Sequence, residues 1–567
     1  MRRLAPLLMV LALAVLSGNA ARGAPAAGAE AAFDWFAYEG HDPVYQEVKA
    51  GPDDYLNPIL SGFYPDPSIT RVGDDYYLVN STFCYFPGIP VFHSRDLVRW
   101  TQIGNAIDRP TQLNFAGLGL SRGVFAPAIS HHDGLFYILN TCVDCGGNFV
   151  ITAKDPAGPW SDPVWLPIDG IDTDLFFDDD GRTWVLNNGP PEGTPQYEGH
   201  RAIWIQQFDP KALKPIGPRT LLVNGGVDFS KKPIWAEGPH IFRAQGRYYL
   251  ITAEGGTGAG HSEVVYRSDK VLGPYVPWSG NPILTQRQLD PSRPHPVTSA
   301  GHAQFVQTPE GEWWSIFLAT RPYAGDAYNT GRETFLLPVH WQDGWPVILS
   351  GDETVPYVHH RPDLPPAPKP AIPTHGDFTV RDDFNGPLKP DWLTIRNPLE
   401  RWWRFESGHL ILVARPQPIG RLTSQPSFLG RRQQHGWATA STAMRYIPQR
   451  PGDKAGLLAL QSDDYFYFLG VTLQDGKTVV RLERRAGPKD DPEGAVVASA
   501  PIDLKPGAPI YLRIQARGGL YDFSYGLHDG QWIPLKRDAD GEILSTKVAG
   551  GFVGAVIGMY AVRSPVG

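Results

Sequence analysis

Five times between Asn57 and Pro346 an apolar run reaches a glycine and returns as an aromatic-rich run. The copies read PDPSITRVGDDYYLV, FAPAISHHDGLFYIL, IDTDLFFDDDGRTWVL, EGPHIFRAQGRYYLI and GHAQFVQTPEGEWWSIF. Their turn glycines are Gly73, Gly134, Gly181, Gly246 and Gly311, at intervals of 61, 47, 65 and 65 residues. Short alternating runs meeting at a glycine predict β-hairpins. Hairpins recurring at this spacing predict the blades of a five-bladed β-propeller. A β-sandwich with coincidental hairpins is the alternative, and five similar turns weigh against it.

The pattern changes at RPDLPPAPKPAIP, where proline density predicts a stiff linker over residues 361–374. Beyond it HLILVA, YFYFLGVTL, TVVRLERR and YLRIQAR alternate with period two between Gly and Asp turns. These predict a two-sheet β-sandwich over residues 375–567. The chain is therefore expected to be all-β, with residues 25–360 forming the first domain. At the start, Arg2 and Arg3 precede the apolar run Leu7 to Leu16 and the small residues Ser17, Gly18 and Ala20. This layout predicts a signal peptide over residues 1–24. Its apolar run is about half what a membrane span needs, so the expected product is secreted or periplasmic, with no membrane partner.

Composition narrows the picture. A chain of 567 residues exceeds one ordinary domain. Charged residues are only 19%, while Gly 61, Pro 55 and 12% aromatics suit short strands and turns rather than long helices. The net charge of -8, with no basic block, argues against nucleic acid. Three cysteines cannot build a disulfide framework. Cys142 and Cys145 have CxxC spacing without the second pair a zinc site needs; whether they are oxidised is left open.

The repeat selects candidate chemistry. Nine residues before their turn glycines lie Phe125, Asp172, Glu237 and His302; seven before lies Asp66. All offsets are odd, so a side-chain period of two puts these residues on one face. Strand starts surrounding a propeller axis would bring them to one mouth of the central channel. Buried charges are costly unless paired or used, so two aspartates, a glutamate and a histidine there point to chemistry. Cleaving a glycosidic bond needs a carboxylic acid to protonate the departing oxygen and a carboxylate to activate water. A third acid nearby raises the pKa of the proton donor. Taken singly each is weak: Asp-Pro is commonly a turn element. Asp178, Asp179 and Asp180 are read as the polar hairpin turn. Glu237 stands between Trp235 and Pro239, which favours an enclosed site.

Together NPILSGFYPDPSI, GVFAPAI, GIDTDLFFDDDGRTW, WAEGPHIF, SAGHAQFV, ATRPY and GRETFLLPVHWQDGWPV resemble glycoside hydrolase family 43, the β-xylosidase and α-L-arabinofuranosidase group. DDFNGPL, LGRRQQH and YFYFLGVTL resemble the concanavalin-like β-sandwich attached to the family's xylosidases. The resemblance implies a five-bladed propeller and inversion at the sugar. It implies Asp66 as general base, Glu237 as general acid, and Asp172 as the residue that tunes the acid and orients substrate. Thr173 and Asp174 replace the usual Pro-Ser after Asp172, and Phe125 replaces a tryptophan. Phe83, Phe86, Phe125 and Trp235 are candidate pocket walls, with core packing an equal account of Phe83 and Phe86. Arg321 resembles an arginine that binds a sugar hydroxyl, while Arg332 and Glu333 are expected to brace each other. His302 resembles a channel histidine beside calcium; no cofactor is required and calcium is admitted only as an option. His200 either lines the pocket or is satisfied in the core, and LGRRQQH is a candidate for the pocket rim. Cys84, near the pocket, is given no catalytic role.

The implied substrates are xylo-oligosaccharides or arabinoxylan. A β-1,4-xylosyl end is preferred over an α-L-arabinofuranosyl branch because of the attached sandwich. The competing expectations are a non-catalytic carbohydrate-binding protein and a retaining fructan hydrolase, whose Asn-Asp-Pro-Asn signature is absent. Oligomeric state is not legible.

Overall fold

The structure is a computed structural model that describes residues 30–422 and 424–564. The expected signal peptide lies outside the described residues. The described chain is all-β apart from short helical turns such as Pro43–Glu47 and Thr546–Ala549. None of its helices is long and apolar enough to cross a membrane.

Five separate antiparallel sheets follow one another between Ser68 and Pro338. Their opening strands are Ser68–Val72, Ala128–His132, Ile171–Phe177, Glu237–Ala244 and Thr298–Gln307. Each opening strand pairs with the aromatic strand after its hairpin turn. All five turn glycines take positive φ, from 63° at Gly73 to 96° at Gly311, which a side chain would resist. Each opening strand also touches the next, and the fifth returns to the first, so the five strands close a ring. The fifth sheet has three strands of its own. The segment before the first sheet completes it: Leu60 bridges Thr334, and the Asn57 side chain exchanges two hydrogen bonds with the Leu336 backbone.

The second half packs an eight-stranded sheet on a six-stranded one around a large aliphatic and aromatic core. One domain boundary needs correction. Glu30–Gly40, expected within the first domain, lies inside the eight-stranded sheet. It is hydrogen-bonded to Trp437–Arg445 on one side and to Phe378–Asp382 and His409–Val413 on the other. Its near-alternating burial matches a sheet with one covered face. Residues 361–374 are not a free tether either. Arg361 and the Ala367 amide both bond the buried Asp96 carboxylate of the first sheet, at 3.1 and 2.8 Å.

The two halves share one hydrophobic cluster, in which Phe63, Phe83 and Tyr85 meet Phe428, Leu458, Phe466 and Tyr560. Through the same contact the fully buried Arg396 bonds the Leu118 carbonyl and the Asp463 carboxylate. Such a continuous core fixes the second half against the first, so its side chains can belong to a shared site.

Candidate active site

A cavity of about 530 Å³ opens where the opening strands begin. Asp66, Asp172, Glu237 and His302 all line it, together with Phe83, Phe125 and Trp235. The structure thus brings together the three acids that the repeat selected. The route differs from simple alternation. Pairing slips once at Ile171/Asp174, once at Glu237/His240, and twice in the fifth opening strand, at Thr298/Gly301 and Gly301/Gln304. Asp66, Asp172 and His302 take φ of 51°, 56° and 54°, and Gly238 takes 56°. A bulge with one left-handed residue turns a side chain out of the ladder toward the axis. Aspartate tolerates that conformation better than most residues. At Gly238 a side chain would be disfavoured twice, by φ and by the His302 ring 3.1 Å from where a Cβ would stand.

Asp66 is held from two sides. Arg332 donates to its two oxygens at 2.6 and 3.3 Å, and the Ser81 hydroxyl donates at 2.5 Å. Burial pushes the Asp66 carboxyl up, but the Arg332 guanidinium, His302 and Ser81 outweigh it and hold the group below its ordinary value. Asp172 accepts the Gly238 amide at 3.0 Å. Burial and the Asp66 charge nevertheless push Asp172 up to about 7, against that amide. Glu237 is raised well above the ordinary value, first by burial, then by the charges of Asp172 and Asp66. One cavity therefore holds an ionised carboxylate beside a carboxyl that keeps its proton.

Several expectations are corrected. Arg321 does not reach the cavity. It is buried between Glu333, at 2.6 and 2.9 Å, and Asp42, at 2.5 Å, so its donors are spent on a structural network. Glu333 in turn accepts the Gly62 amide at 2.7 Å, bracing the loop that carries Asp66. Arg332 and Glu333 do not pair with each other; Arg332 is the arginine that lines the cavity. Phe86 is core: unlike Phe83 it does not line the cavity, and it pairs with Thr394 inside the cluster between the halves. His200 is satisfied by Asn224 at 2.8 Å and the Gln196 amide at 3.1 Å. Arg432 of LGRRQQH stays behind the wall, bonding the Phe63 carbonyl at 2.8 Å.

Asp174, next to Asp172, turns to His240 at 2.8 Å. Asp179 and Asp180 pair with Arg243 and Arg182 at the hairpin turn, as read from sequence, while Asp178 is buried and accepts from the Tyr248 hydroxyl. Cys142 and Cys145 are joined in a disulfide, and Cys84 is free and buried. Burial pushes the Cys84 thiol up to about 12, which leaves no thiolate nucleophile.

Sequence reasoning missed Arg122, Ile234, the segment Gly255–Gly258 and Phe552, all of which line the cavity. Phe552 comes from the second half. It stacks on Phe83 at 6.0 Å, meets Phe125 edge-on at 5.6 Å, and lies under the Arg332 guanidinium at 5.5 Å. On the opposite wall the Arg201 guanidinium covers the Trp235 ring at 4.4 Å. Burial lowers the His302 pKa to about 3. Among the described residues no group of three His, Cys, Asp or Glu side chains converges to hold a metal ion.

The family model described as glycosyl hydrolases family 43 matches residues 55–346. This chain belongs to glycosyl hydrolases family 43. A second model, the beta xylosidase C-terminal concanavalin A-like domain, matches residues 381–566. A xylosidase/arabinosidase of Butyrivibrio fibrisolvens is 38% identical over 513 residues, covering 89% of this chain and 95% of that protein. A non-reducing end alpha-L-arabinofuranosidase of Bacteroides ovatus is 37% identical over 516 residues, covering 89% and 91%. Among solved structures, a family 43 protein of subfamily 12 from a capybara gut metagenome superposes with a TM-score of 0.87 at 39% identity, covering 95% of this chain and all of that one. A xylan beta-1,4-xylosidase from Bacillus halodurans superposes at 0.80 and 31% identity, covering 90% and 96%.

Proposed function

We propose that this family 43 hydrolase is an inverting exo-glycosidase that removes terminal pentose from xylan-derived oligosaccharides, acting chiefly as a β-1,4-xylosidase. The observation that carries the reading is the placing of two carboxyls in one cavity in opposed surroundings: Asp66 paired with Arg332 at 2.6 Å, which holds it down, and Glu237 buried without a cation partner among the described residues, near Asp172 and Asp66, which push it up. In this reading Asp66 takes a proton from a water as it attacks the anomeric carbon. Glu237 gives its proton to the departing oxygen. Asp172 keeps that proton on Glu237 until it is needed, and its bond to the Gly238 amide fixes it beside the acid. Phe83, Phe125, Phe552 and Trp235 offer apolar faces to the sugar ring. The buried positions of Asp66, Asp172 and Glu237 at the wall of the cavity favour a chain end over an internal bond.

The five sheets with ring-wise contacts between opening strands are what a five-bladed propeller would produce, and we adopt that architecture. Arabinofuranosidase activity is the second reading, favoured by the names of the similar proteins. A non-catalytic binding protein is disfavoured, because binding alone does not need opposed carboxyl protonation states. The chemistry draws on no cofactor; a calcium at His302 would depend on water for most of its oxygen ligands. Export, to the periplasm or beyond, follows from the N-terminal layout and accords with the Cys142–Cys145 disulfide. Rates on nitrophenyl β-D-xylopyranoside and nitrophenyl α-L-arabinofuranoside test the substrate: a large preference for the arabinoside overturns the xylosidase assignment.

A further inference from the structure

Arg122 stands at the mouth of the cavity and belongs to none of the motifs that point to the reaction. Its backbone is held tightly. Its carbonyl accepts the Cys84 thiol at 3.3 Å. The next residue, Gly123, has φ of 86° and sits so close to the Phe83 carbonyl that a Cβ would stand 2.7 Å from it. Gly123 and Val124 pair with Val143 and Cys142. The side chain is aimed as well. Arg122 Nε donates to Asp144 at 2.7 Å, and its guanidinium lies 5.9 Å from the Phe125 ring centroid.

Asp144 itself is an unusual partner. It lies between the two bonded cysteines, at φ of 64°. The Cys145 amide closes the same turn onto the Cys142 carbonyl at 3.2 Å. Behind it, Gly146 has no room for a side chain because the Trp165 ring packs 2.3 Å from where a Cβ would stand. Arg122 and Asp144 are 42% and 54% exposed. An ion pair that wet contributes little on its own, since the entropy of holding two side chains consumes the gain. A covalently closed turn fixes the backbone that carries the carboxylate and so lowers that cost. The disulfide therefore acts as the fixed end of a strut that runs through Asp144 to Arg122.

We propose that Arg122 binds the leaving-group sugar, donating to hydroxyls of the second pentose, and that Asp144 and the Cys142–Cys145 disulfide are positioning elements for it. The proposal rests on the exo-glycosidase reading. Asp66, Asp172, Glu237 and Arg332 are all nearly buried, so the terminal sugar occupies the depth of the cavity and the next sugar meets its exposed rim. Arg122 keeps its two terminal nitrogens free of Asp144, which takes Nε alone. Those donors match the hydroxyls of a saccharide and meet only the weaker acceptors of a nitro group in a nitrophenyl ring.

The test compares kcat/KM for xylobiose with kcat/KM for nitrophenyl β-D-xylopyranoside. Arg122→Gln is expected to lower the ratio of the two about tenfold, the loss of one charged hydrogen bond. Cys145→Ser and Asp144→Asn, each removing part of the strut, are expected to raise KM for xylobiose about threefold with kcat little changed, a fraction of that bond. In the Arg122→Gln background both are expected to do nothing further, because coupled residues are not additive. Melting curves of each variant separate misfolding from lost binding. The proposal is overturned if Cys145→Ser slows both substrates alike, or if its effect adds fully to that of Arg122→Gln. If the unmutated protein cleaves neither substrate, the exo-glycosidase reading falls first and this one with it.

Discussion

Replacing Arg332 by methionine isolates what keeps the base ionised. In the folded protein Asp66 is buried and draws on the guanidinium, the Ser81 hydroxyl and nearby His302 to stay charged. Arg332→Met leaves the hydroxyl and removes the charge. Burial, already the largest influence, then prevails. A carboxylate beside an arginine is typically held down by about 1–3 units, each worth about 1.4 kcal/mol, so the carboxyl should rise by a similar amount. The sign follows from Asp66 being held below its ordinary value. The charged form contributes stability above the unfolded pKa, and this is lost as pH falls through the folded one. In Arg332→Met that contribution disappears, and the acid limb of kcat/KM against pH moves upward by about 1–3 units. At pH values between the old and new limbs the base is protonated, and the rate falls by up to about 10²–10⁴-fold, the worth of a general base. The assay is kcat/KM for a nitrophenyl pentoside across the acidic and neutral range, with folding followed by circular dichroism. A plateau that drops while the limb stays in place would refute the reasoning, because Arg332 would then serve substrate binding alone.

Three further substitutions separate the remaining roles. Glu237→Gln removes the proton donor and is expected to cut turnover of xylobiose about 10²–10⁴-fold, with a smaller loss on nitrophenyl pentosides, whose leaving group needs little protonation. Equal losses on both would contradict its assignment as the acid. Arg321→Met leaves Glu333 and Asp42 buried without their cation, so unfolding experiments should show a loss of about 3–5 kcal/mol. The acid limb of the activity profile should not move, in contrast to Arg332→Met. Phe552→Ala deletes a ring that meets both Phe83 and Phe125. Each such aromatic contact is worth about 0.5–1.5 kcal/mol, and the variant should raise KM about two- to tenfold while remaining folded. An unchanged KM would show that the second half shapes the wall without touching the sugar.

The hairpin repeat was readable because period and turn glycines are local properties of the chain. It selects Asp66, Asp172 and Glu237 from local pattern alone. The parity used to place them on one face does not describe how they get there: a bulge interrupts the opening strands that carry Asp172, Glu237 and His302, and left-handed residues aim the side chains. The errors are of another kind. Arg321 and Arg332 lie eleven positions apart, at the two ends of the connection between Trp313–Thr320 and Glu333–Pro338, and nothing local tells which one faces the carboxylate and which one ties down Glu333. Glu30–Gly40 shows near-alternating burial, yet its partner strands begin more than 300 residues later, beyond the reach of any local pattern. Phe552 sits in an ordinary GGFVG stretch, and only the packing of one half on the other brings it to the cavity. Phe86 and Phe83 look alike in sequence, and the choice between core and wall is made by the strand Thr394–Ile395, which covers Phe86.

The central claim is that a water, activated by Asp66, strikes the sugar from the side opposite a departing oxygen protonated by Glu237. Following the first product of nitrophenyl β-D-xylopyranoside hydrolysis by proton NMR, before mutarotation, tests it most directly. The account predicts that α-xylose appears first and relaxes to the equilibrium mixture. Initial release of β-xylose would mean a double displacement through a covalent intermediate, and would contradict the roles given to Asp66 and Glu237.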